Sequence, residues 1–413
     1  MTDPGKPFVD VRMRGFRERA SVDAVLALLD ARTRPLPAET VPLRDVAGRV
    51  LAEAVVSAVD VPSFPRSAMD GFAVRAEDIA AAVPLTVVGE AFPARPFAGV
   101  VAPGQAVRVT TGAPIPAGAD AVLMAESAVS RADGLFSTTP LTPGKHVIRV
   151  GEDVAKGREV LSADRRLRPQ DVGLLASIGV GEVRAVRRPR VAILVTGDEL
   201  LPPGATPDGF RIVDSNSPML AALAARDGAD LLPVRYVRDD YDAVRDAIRD
   251  AATRADVVLV SGGTSVGAED HAPCAAAELG ELAVHGVAVR PAGPLGVAFL
   301  TRGVVFLISG NPVACLCAYD LFAGRAVRRL GGRSWELPYR KTTLPVAETI
   351  ASAAGRVDYV RVRCGESGVS AVASGGASNL SGAVTADGFV LVAVDRGALA
   401  PGEAADVWLY DAS

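Results

Sequence analysis

Three strand-length runs constrain this chain more than any other feature: Val191–Thr196, Asp256–Val260 and Val304–Ile308. Val191–Thr196 is a continuous apolar run, as in a strand buried on both faces, Val304–Ile308 is apolar throughout, and Asp256–Val260 is apolar after its first residue. Helical patterns lie between them. Ser217-Pro218 opens a helix predicted to end near Gly228, and Tyr241–Arg254 carries another. A further strand is predicted over Leu231–Val237, and a long helix follows the third run to about Arg329. Such alternation, from about Pro189 to Gly332, implies a parallel sheet with helices on both faces.

The flanks have a different texture. Ser21 precedes Val22, Val25, Leu26 and Leu29, a capped helical period, and Pro169 opens a second helix through Val172 and Leu175 that ends near Gly179. Between them, from about Val61 to Val147, short β-rich runs (Leu85–Val88, Ala106–Thr110, Ala121–Met124) are separated by Pro and Gly. That pattern reads as a small β-domain inserted into a discontinuous helical one. The last ~80 residues return to short β-runs at Val357–Val362, Val369–Ala373, Phe389–Val394 and Val407–Tyr410, as in a small barrel or sandwich. The boundaries predicted are 1–60 with 148–187 for the helical domain, 61–147 for the insertion, 188–334 for the α/β domain and 335–413 for the C-terminal β-domain.

Composition narrows the function. A net charge of −4 over 413 residues argues against a broad nucleic-acid surface, and 5% aromatics against a base-stacking platform. The four cysteines form no C-x-x-C pair, so zinc and iron–sulfur sites are not expected. No run is long enough to span a bilayer, and Met1 to Arg19 lacks the apolar segment of a signal peptide. A cytoplasmic protein with reduced thiols is the expectation.

Two glycine-rich turns follow strands of the α/β domain, at the edge where such sheets bind ligands. In Ser261-Gly262-Gly263-Thr264-Ser265-Val266-Gly267, the glycines let backbone N–H groups approach an anion. In Ser309-Gly310-Asn311-Pro312-Val313, Asn311 can cap a helix and Pro312 has no N–H to lose. Either loop alone also reads as an ordinary tight turn. Together at one edge they point to a phosphorylated small molecule.

Carboxylates fall in or beside turns: Asp70, Asp153, Glu199, Asp239, Asp240 and Asp270. Taken singly, each also reads as a solvated cap or a surface ion pair. Glu199, in Thr196-Gly197-Asp198-Glu199, and Asp270 stand out because they adjoin the predicted ligand edge, where acids commonly hold Mg²⁺. Rigid Pro/Gly loops, Phe64–Ala73 and Thr110–Asp120, bring Asp70, Thr111 and Asp120 to fixed places.

These motifs, in order, carry a specific resemblance. Ser67-Ala68-Met69-Asp70-Gly71-Phe72-Ala73, Thr111-Gly112-Ala113-Pro114-Ile115-Pro116, Gly151-Glu152-Asp153, Thr196-Gly197-Asp198-Glu199-Leu200, the Ser261–Gly267 loop with Asp270, and Gly310-Asn311-Pro312-Val313 resemble the molybdopterin molybdenumtransferase family over nearly the whole chain. The resemblance implies the four-part subunit described above, with a pterin-binding α/β domain and a C-terminal β-barrel. It implies a homodimer whose cleft joins the α/β domain of one subunit to the Asp70 and Thr111 loops of the other. The implied reaction cleaves adenylylated molybdopterin, releases AMP and inserts molybdenum from molybdate with the help of Mg²⁺. Further implied partners are a molybdopterin adenylyltransferase and molybdoenzyme acceptors; neither nucleic acid nor membrane is among them. By the same resemblance Glu199, Asp239 and Asp270 place the metal. Gly262, Gly263, Ser265, Gly267, Arg290, Gly310, Asn311 and Pro312 hold the substrate. Asp70, Thr111 and Asp153 serve the reaction from the partner subunit.

The family pattern is broken in one region. The basic stretch Lys-Pro-Gly-Lys-Pro is here Arg290-Pro291-Ala292-Gly293-Pro294, a further lysine is replaced by Gly286, and the proline before Gly-Asn-Pro is Ser309. Arg290 keeps one charge as a planar fork rather than a point charge; Arg66, Arg211 and Arg356 are other candidates to compensate. The substitutions keep one alternative open, a pterin-binding carrier without catalysis; the likeness of the α/β domain to a related module keeps open a second, a molybdopterin adenylyltransferase.

Overall fold

The computed structural model describes residue 16 and residues 18–264, 267, 270–372 and 376–410. The chain divides into two compact units, one of residues 40–47 and 51–185 and the other of the remainder. Helix α1 (Val22–Arg32) opens the larger unit; Ser21 caps it by accepting the Ala24 N–H. The sequence groups α1 with the helix at Pro169, yet its Val25 and Leu29 pack into the core beneath the α/β sheet.

The smaller unit is built on a four-stranded sheet of β1 (Gly71–Val74), β2 (Thr86–Ala91), β3 (Gln105–Val109) and β4 (Ala121–Met124), in the order β2-β3-β1-β4. Period-2 alternation sends Ala73, Val107 and Val122 to one face and Val74, Ala106 and Leu123 to the other. Gly71 must be glycine, because a Cβ there would overlap the Leu123 carbonyl oxygen. Helix α2 (Pro169–Ser177) starts at a proline, and the Asp171 carboxylate accepts the Arg168 N–H, closing its first turn. Its Leu175 packs with Val41, Leu51 and Leu161.

The larger unit carries the predicted α/β sheet. Strands β5 (Arg190–Thr196), β6 (Val257–Ser261) and β9 (Val304–Ile308) are parallel neighbours with β6 central. Two strands beyond β9 were not expected. β8 (Gly296–Phe299) and β7 (Glu281–His285) run antiparallel, so the sheet is mixed. The predicted strand over Leu231–Val237 is two pieces, Asp230–Leu231 and Arg235–Val237, both paired with β5. Pro233 lies between them and has no N–H for the ladder.

The faces of this sheet are covered by different helices. Val191, Ile193, Val195, Leu259 and Phe306 share a core with α3 (Asn216–Arg226), α6 (Pro312–Ala318) and α7 (Gly324–Leu330). Ala192, Leu194, Val260 and Leu307 pack under α4 (Tyr241–Arg254) and α5 (Ala272–Leu279). Between α6 and α7 the long predicted helix widens into a π-turn at Tyr319–Ala323.

The C-terminal part is an open sheet rather than the closed barrel expected. Val289–Arg290, β11 (Val357–Gly365), β12 (Gly388–Val392), β13 (Ala404–Leu409) and β10 (Arg340–Pro345) follow one another in that order; Gly368–Ala371 pairs the outer edge of β11, and a single bridge from its Val369 to Val346, just past β10, is the link between the two edges among the described residues. Its Tyr359 and Phe389 rings stack at 4.0 Å and join the core shared with α3 and α6. Among the described residues no helix is long and apolar enough to cross a membrane. The four cysteines are free thiols, with Cys315 and Cys317 buried.

Candidate functional site

Three of the sequence motifs leave the carboxyl ends of adjacent parallel strands. The Thr196 turn follows β5, the Gly262 loop follows β6, and the Gly310 turn follows β9. The last two touch: a Cβ on Gly310 would sit 3.7 Å from the Gly262 Cα, and the Gly262 N–H donates to the Ile308 carbonyl oxygen at 3.1 Å. Gly262 has φ +95°, and a side chain there would strike the Thr196 carbonyl. A Cβ on Gly263, at φ +59°, would come within 3.0 Å of Thr196 Oγ1. Only glycine lets this backbone fold back over Thr196. Ser265, predicted to hold substrate, lies outside the described residues.

Asn216 locks the arrangement. Its Nδ2 donates to Ser261 Oγ at 2.9 Å and to the Gly310 carbonyl at 2.8 Å, tying the β6 and β9 loops together. Asn216 is itself held by Asp214, a buried carboxylate that accepts the N–H groups of Asn216 and Ser217 and the Tyr236 hydroxyl. Sequence reasoning passed over both residues. Asp214-Ser215-Asn216-Ser217-Pro218 read only as a helix start, and nothing local shows that its amide reaches across two loops.

Three polar atoms at this edge are buried with no hydrogen-bond partner among the described residues: Thr196 Oγ1, Thr264 Oγ1 and Asn216 Oδ1. Their residues are at most 5% exposed. Orphaned buried acceptors and hydroxyls cost free energy, and sites that bind ligands or waters account for such exceptions. Asn311 begins α6; its N–H donates to Ser309 Oγ at 3.3 Å and its Oδ1 accepts the Ser378 hydroxyl at 2.8 Å. A hydroxyl at Ser309 thus braces the turn where the family has a proline.

The acids divide into two kinds. Asp239 faces the Thr196 turn: its carboxylate accepts the Asp198 N–H at 3.2 Å, and Asp198 accepts the Asp239 N–H at 3.4 Å. Glu199, exposed beside Asp198, belongs to the same turn. Asp270 accepts the Gly267 N–H at 2.6 Å and so braces the glycine loop. Asp240 caps α4 through the Ala243 N–H. Among the described residues no three His, Cys, Asp or Glu side chains converge as a metal cage. Mg²⁺ can also be held by one or two carboxylates shared with substrate phosphates, and Glu199 and Asp239 are the carboxylates in these two joined turns that could serve so.

The substituted basic stretch is accounted for locally. Gly286 has φ +96°, and a Cβ there would come 2.6 Å from the Phe16 ring, which fills the space a lysine stem would need. The Arg290 guanidinium grips Asp358, with Nε–Oδ1 at 2.6 Å and Nη2 on Oδ2.

In the smaller unit, taken by itself, Asp70 and Thr111 touch. Asp70 Oδ1 accepts the Thr111 N–H at 2.6 Å and its hydroxyl at 2.9 Å. Those bonds, the backbone one first, hold the exposed Asp70 carboxyl below its ordinary range. Asp153 is not brought onto this contact: its N–H donates to the Val61 carbonyl, at the other end of the pairing that joins Ser67 to Val147. Asp120 is a cap on the short helix at Ala76.

The "MoeA N-terminal region (domain I and II)" model matches residues 20–179, the "Probable molybdopterin binding domain" model residues 192–329, and the "MoeA C-terminal region (domain IV)" model residues 343–410. A molybdopterin molybdenumtransferase of Haemophilus influenzae is 32% identical over 378 residues, covering 89% of this chain and 93% of its own. One from Staphylococcus aureus is 33% identical over 358 residues, 85% of each chain. A crystal structure of a molybdopterin biosynthesis MoeA protein from Pyrococcus horikoshii superposes with a TM-score of 0.81 at 28% identity, covering 96% of this chain and all of that one. The ordered motifs, the bridged glycine loops and these matches together place the chain in the MoeA family.

Proposed function

We propose that this chain is a molybdopterin molybdenumtransferase: it takes adenylylated molybdopterin and molybdate, releases AMP and leaves molybdenum on the dithiolene. The observation that carries this reading is the Asn216 bridge. It holds two glycine loops together beside buried hydroxyl and carbonyl groups that lack partners among the described residues. A pterin with its phosphates supplies donors and acceptors for those groups and negative charge for the loop N–H groups. Gly262, Gly263, Gly267, Gly310, Asn311 and Pro312, with Ser265, form the cradle.

Cleavage of a phosphoanhydride asks mainly for positioning and charge stabilisation, so no protein nucleophile is required. Glu199 and Asp239 would hold Mg²⁺, and Asp270 braces the Gly267 loop. The ion would neutralise the phosphate oxygens on which charge develops. In the proposed homodimer, Asp70, Thr111 and Asp153 of one protomer complete the cleft of its partner. Asp70 stays ionised through its Thr111 bonds and orients molybdate or water. The enzyme works in the cytoplasm.

A second reading, a pterin carrier, is favoured by one observation: Phe16 occupies the space of a family lysine at Gly286. AMP release from adenylylated molybdopterin, followed with and without molybdate and Mg²⁺, separates the readings. Molybdate-stimulated release supports the transferase. Tight binding without release supports the carrier, and consumption of molybdopterin with ATP supports an adenylyltransferase.

A further inference from the structure

We propose that the opposite edge of the same sheet carries a second oxyanion site, an arginine-lined cleft that takes a small phosphate-bearing molecule. The cleft encloses about 350 Å³ and is lined by Arg187, Arg190, Arg254 and Arg302 with Asp256 and Gly303. That volume lies at the small end of the range for ligand pockets. Arg190 is the first residue of β5 and Thr196 the last. At about 3.3 Å per residue the cleft stands roughly 20 Å from the glycine loops.

Charge pairing inside the cleft is uneven. Arg187 grips Asp256 bidentately, at 3.0 and 2.7 Å, and the Arg190 N–H also donates to that carboxylate at 2.7 Å. Arg254 pairs with Asp250 at 2.6 Å. The acids at hand are therefore taken, and Asp230 nearby faces Arg188 at 3.6 Å. The guanidinium groups of Arg190 and Arg302 are exposed and have no acidic partner among the described residues. Helix α4 ends here, and its carbonyl end disfavours anions; since Arg254 in its last turn is paired with Asp250, Arg190 and Arg302 supply the attraction.

The backbone is shaped to present these cations. Gly303 has φ +77°, and a Cβ there would lie 2.6 Å from the Asp256 carbonyl oxygen. The Leu300 N–H donates to the Gly303 carbonyl at 3.3 Å, closing the tight turn that carries Arg302. Two uncompensated planar forks beside a neutralised Arg187–Asp256 pair suit the several oxygens of a phosphate, which guanidinium binds bidentately.

The test is a calorimetric titration of the full chain with inorganic pyrophosphate. The wild type is compared with Arg190→Ala/Arg302→Ala, and Arg302→Ala alone serves if the pair destabilises the fold. Hydrogen bonds to charged groups predict at least about a tenfold weakening of one binding step in the double variant, and a smaller loss in the single. The glycine loops would account for a separate step that the variants leave unchanged, and molybdate-stimulated AMP release should also be unaltered. If no binding step is weakened by these substitutions, or if pyrophosphate does not bind at all, the cleft is not an oxyanion site. Neither result bears on the reaction proposed at the other edge, which AMP release tests on its own.

Discussion

The Asn216 side-chain amide donates to the Gly310 carbonyl oxygen at 2.8 Å, so a residue at the start of α3 sets the position of the turn that follows β9. The same nitrogen reaches Ser261 Oγ at the end of β6. Asn216→Ala removes both bonds and leaves the buried Ser261 hydroxyl without its donor and the more exposed Gly310 carbonyl free to move, which costs about 1–3 kcal/mol. The expected outcome is a lower denaturant midpoint and a loss of AMP release of tenfold or more. Asn216→Asp should be no better, since a carboxylate cannot donate to the Gly310 carbonyl. Full activity in both variants would show that the loops hold their places without the bridge.

Gly262→Ala attacks the same hollow through the backbone. At φ +95° a non-glycine residue is strained by about 1–3 kcal/mol, and here the new Cβ also meets the Thr196 carbonyl. The loop must lift away from Thr196. Activity should fall far more than the thermal midpoint, because the rest of the sheet keeps its β6 pairings with β5 and β9. Thermal melting and AMP release on the same sample check this.

The Asp70–Thr111 contact should be pH-sensitive in one direction only. Its carboxyl is held below the ordinary value, about 3.9, by the Thr111 N–H and then its hydroxyl. A depressed folded-state pKa means that the stabilisation is complete above the unfolded value and lost as pH falls through the folded one. The contact is therefore intact at neutral pH and opens only in acid below about pH 4. The Thr111 amide resonance, followed by NMR from pH 6 to 2.5, should shift with a midpoint below 3.9. The shift should vanish in Asp70→Asn; a midpoint at or above 3.9 would contradict the geometry.

Much of this was legible in the chain because it is local. The runs at Val191 and Val304 became β5 and β9, and Tyr241–Arg254 became α4, since each pattern is repeated within one element. Asp240 as a cap and Gly262 as a left-handed turn residue follow from neighbours in sequence. What was hidden depends on residues far apart. Antiparallel β7 and β8 carry no signal that separates them from parallel strands, and the open ends of the C-terminal sheet are set by pairings across more than 50 residues. Asn216 looks like any helix-opening asparagine until its reach to Gly310, 94 residues on, is seen. Glu199 and Asp270 were singled out by their place beside the predicted ligand edge and Asp239 only by the resemblance, while the bonds joining the Asp198 and Asp239 turns appear only in three dimensions.

Arg290 separates two roles that sequence alone leaves entangled. It stands where the family carries a lysine, yet its fork is bidentate on Asp358, which is 3% exposed and also accepts the Ser352 hydroxyl at 2.9 Å. Removing the arginine leaves a buried carboxylate short of its cation, which costs about 3–5 kcal/mol when both partners are buried. Arg290 is half-exposed, so screening reduces the expected loss to about 1–3 kcal/mol for Arg290→Ala. Arg290→Ala/Asp358→Asn should recover part of that stability, because the uncompensated charge is gone. If Arg290 serves Asp358 alone, KM for adenylylated molybdopterin changes little in either variant once the protein is folded. A rise in KM with Arg290→Ala that Asp358→Asn does not reproduce would instead give the guanidinium a direct hold on the substrate.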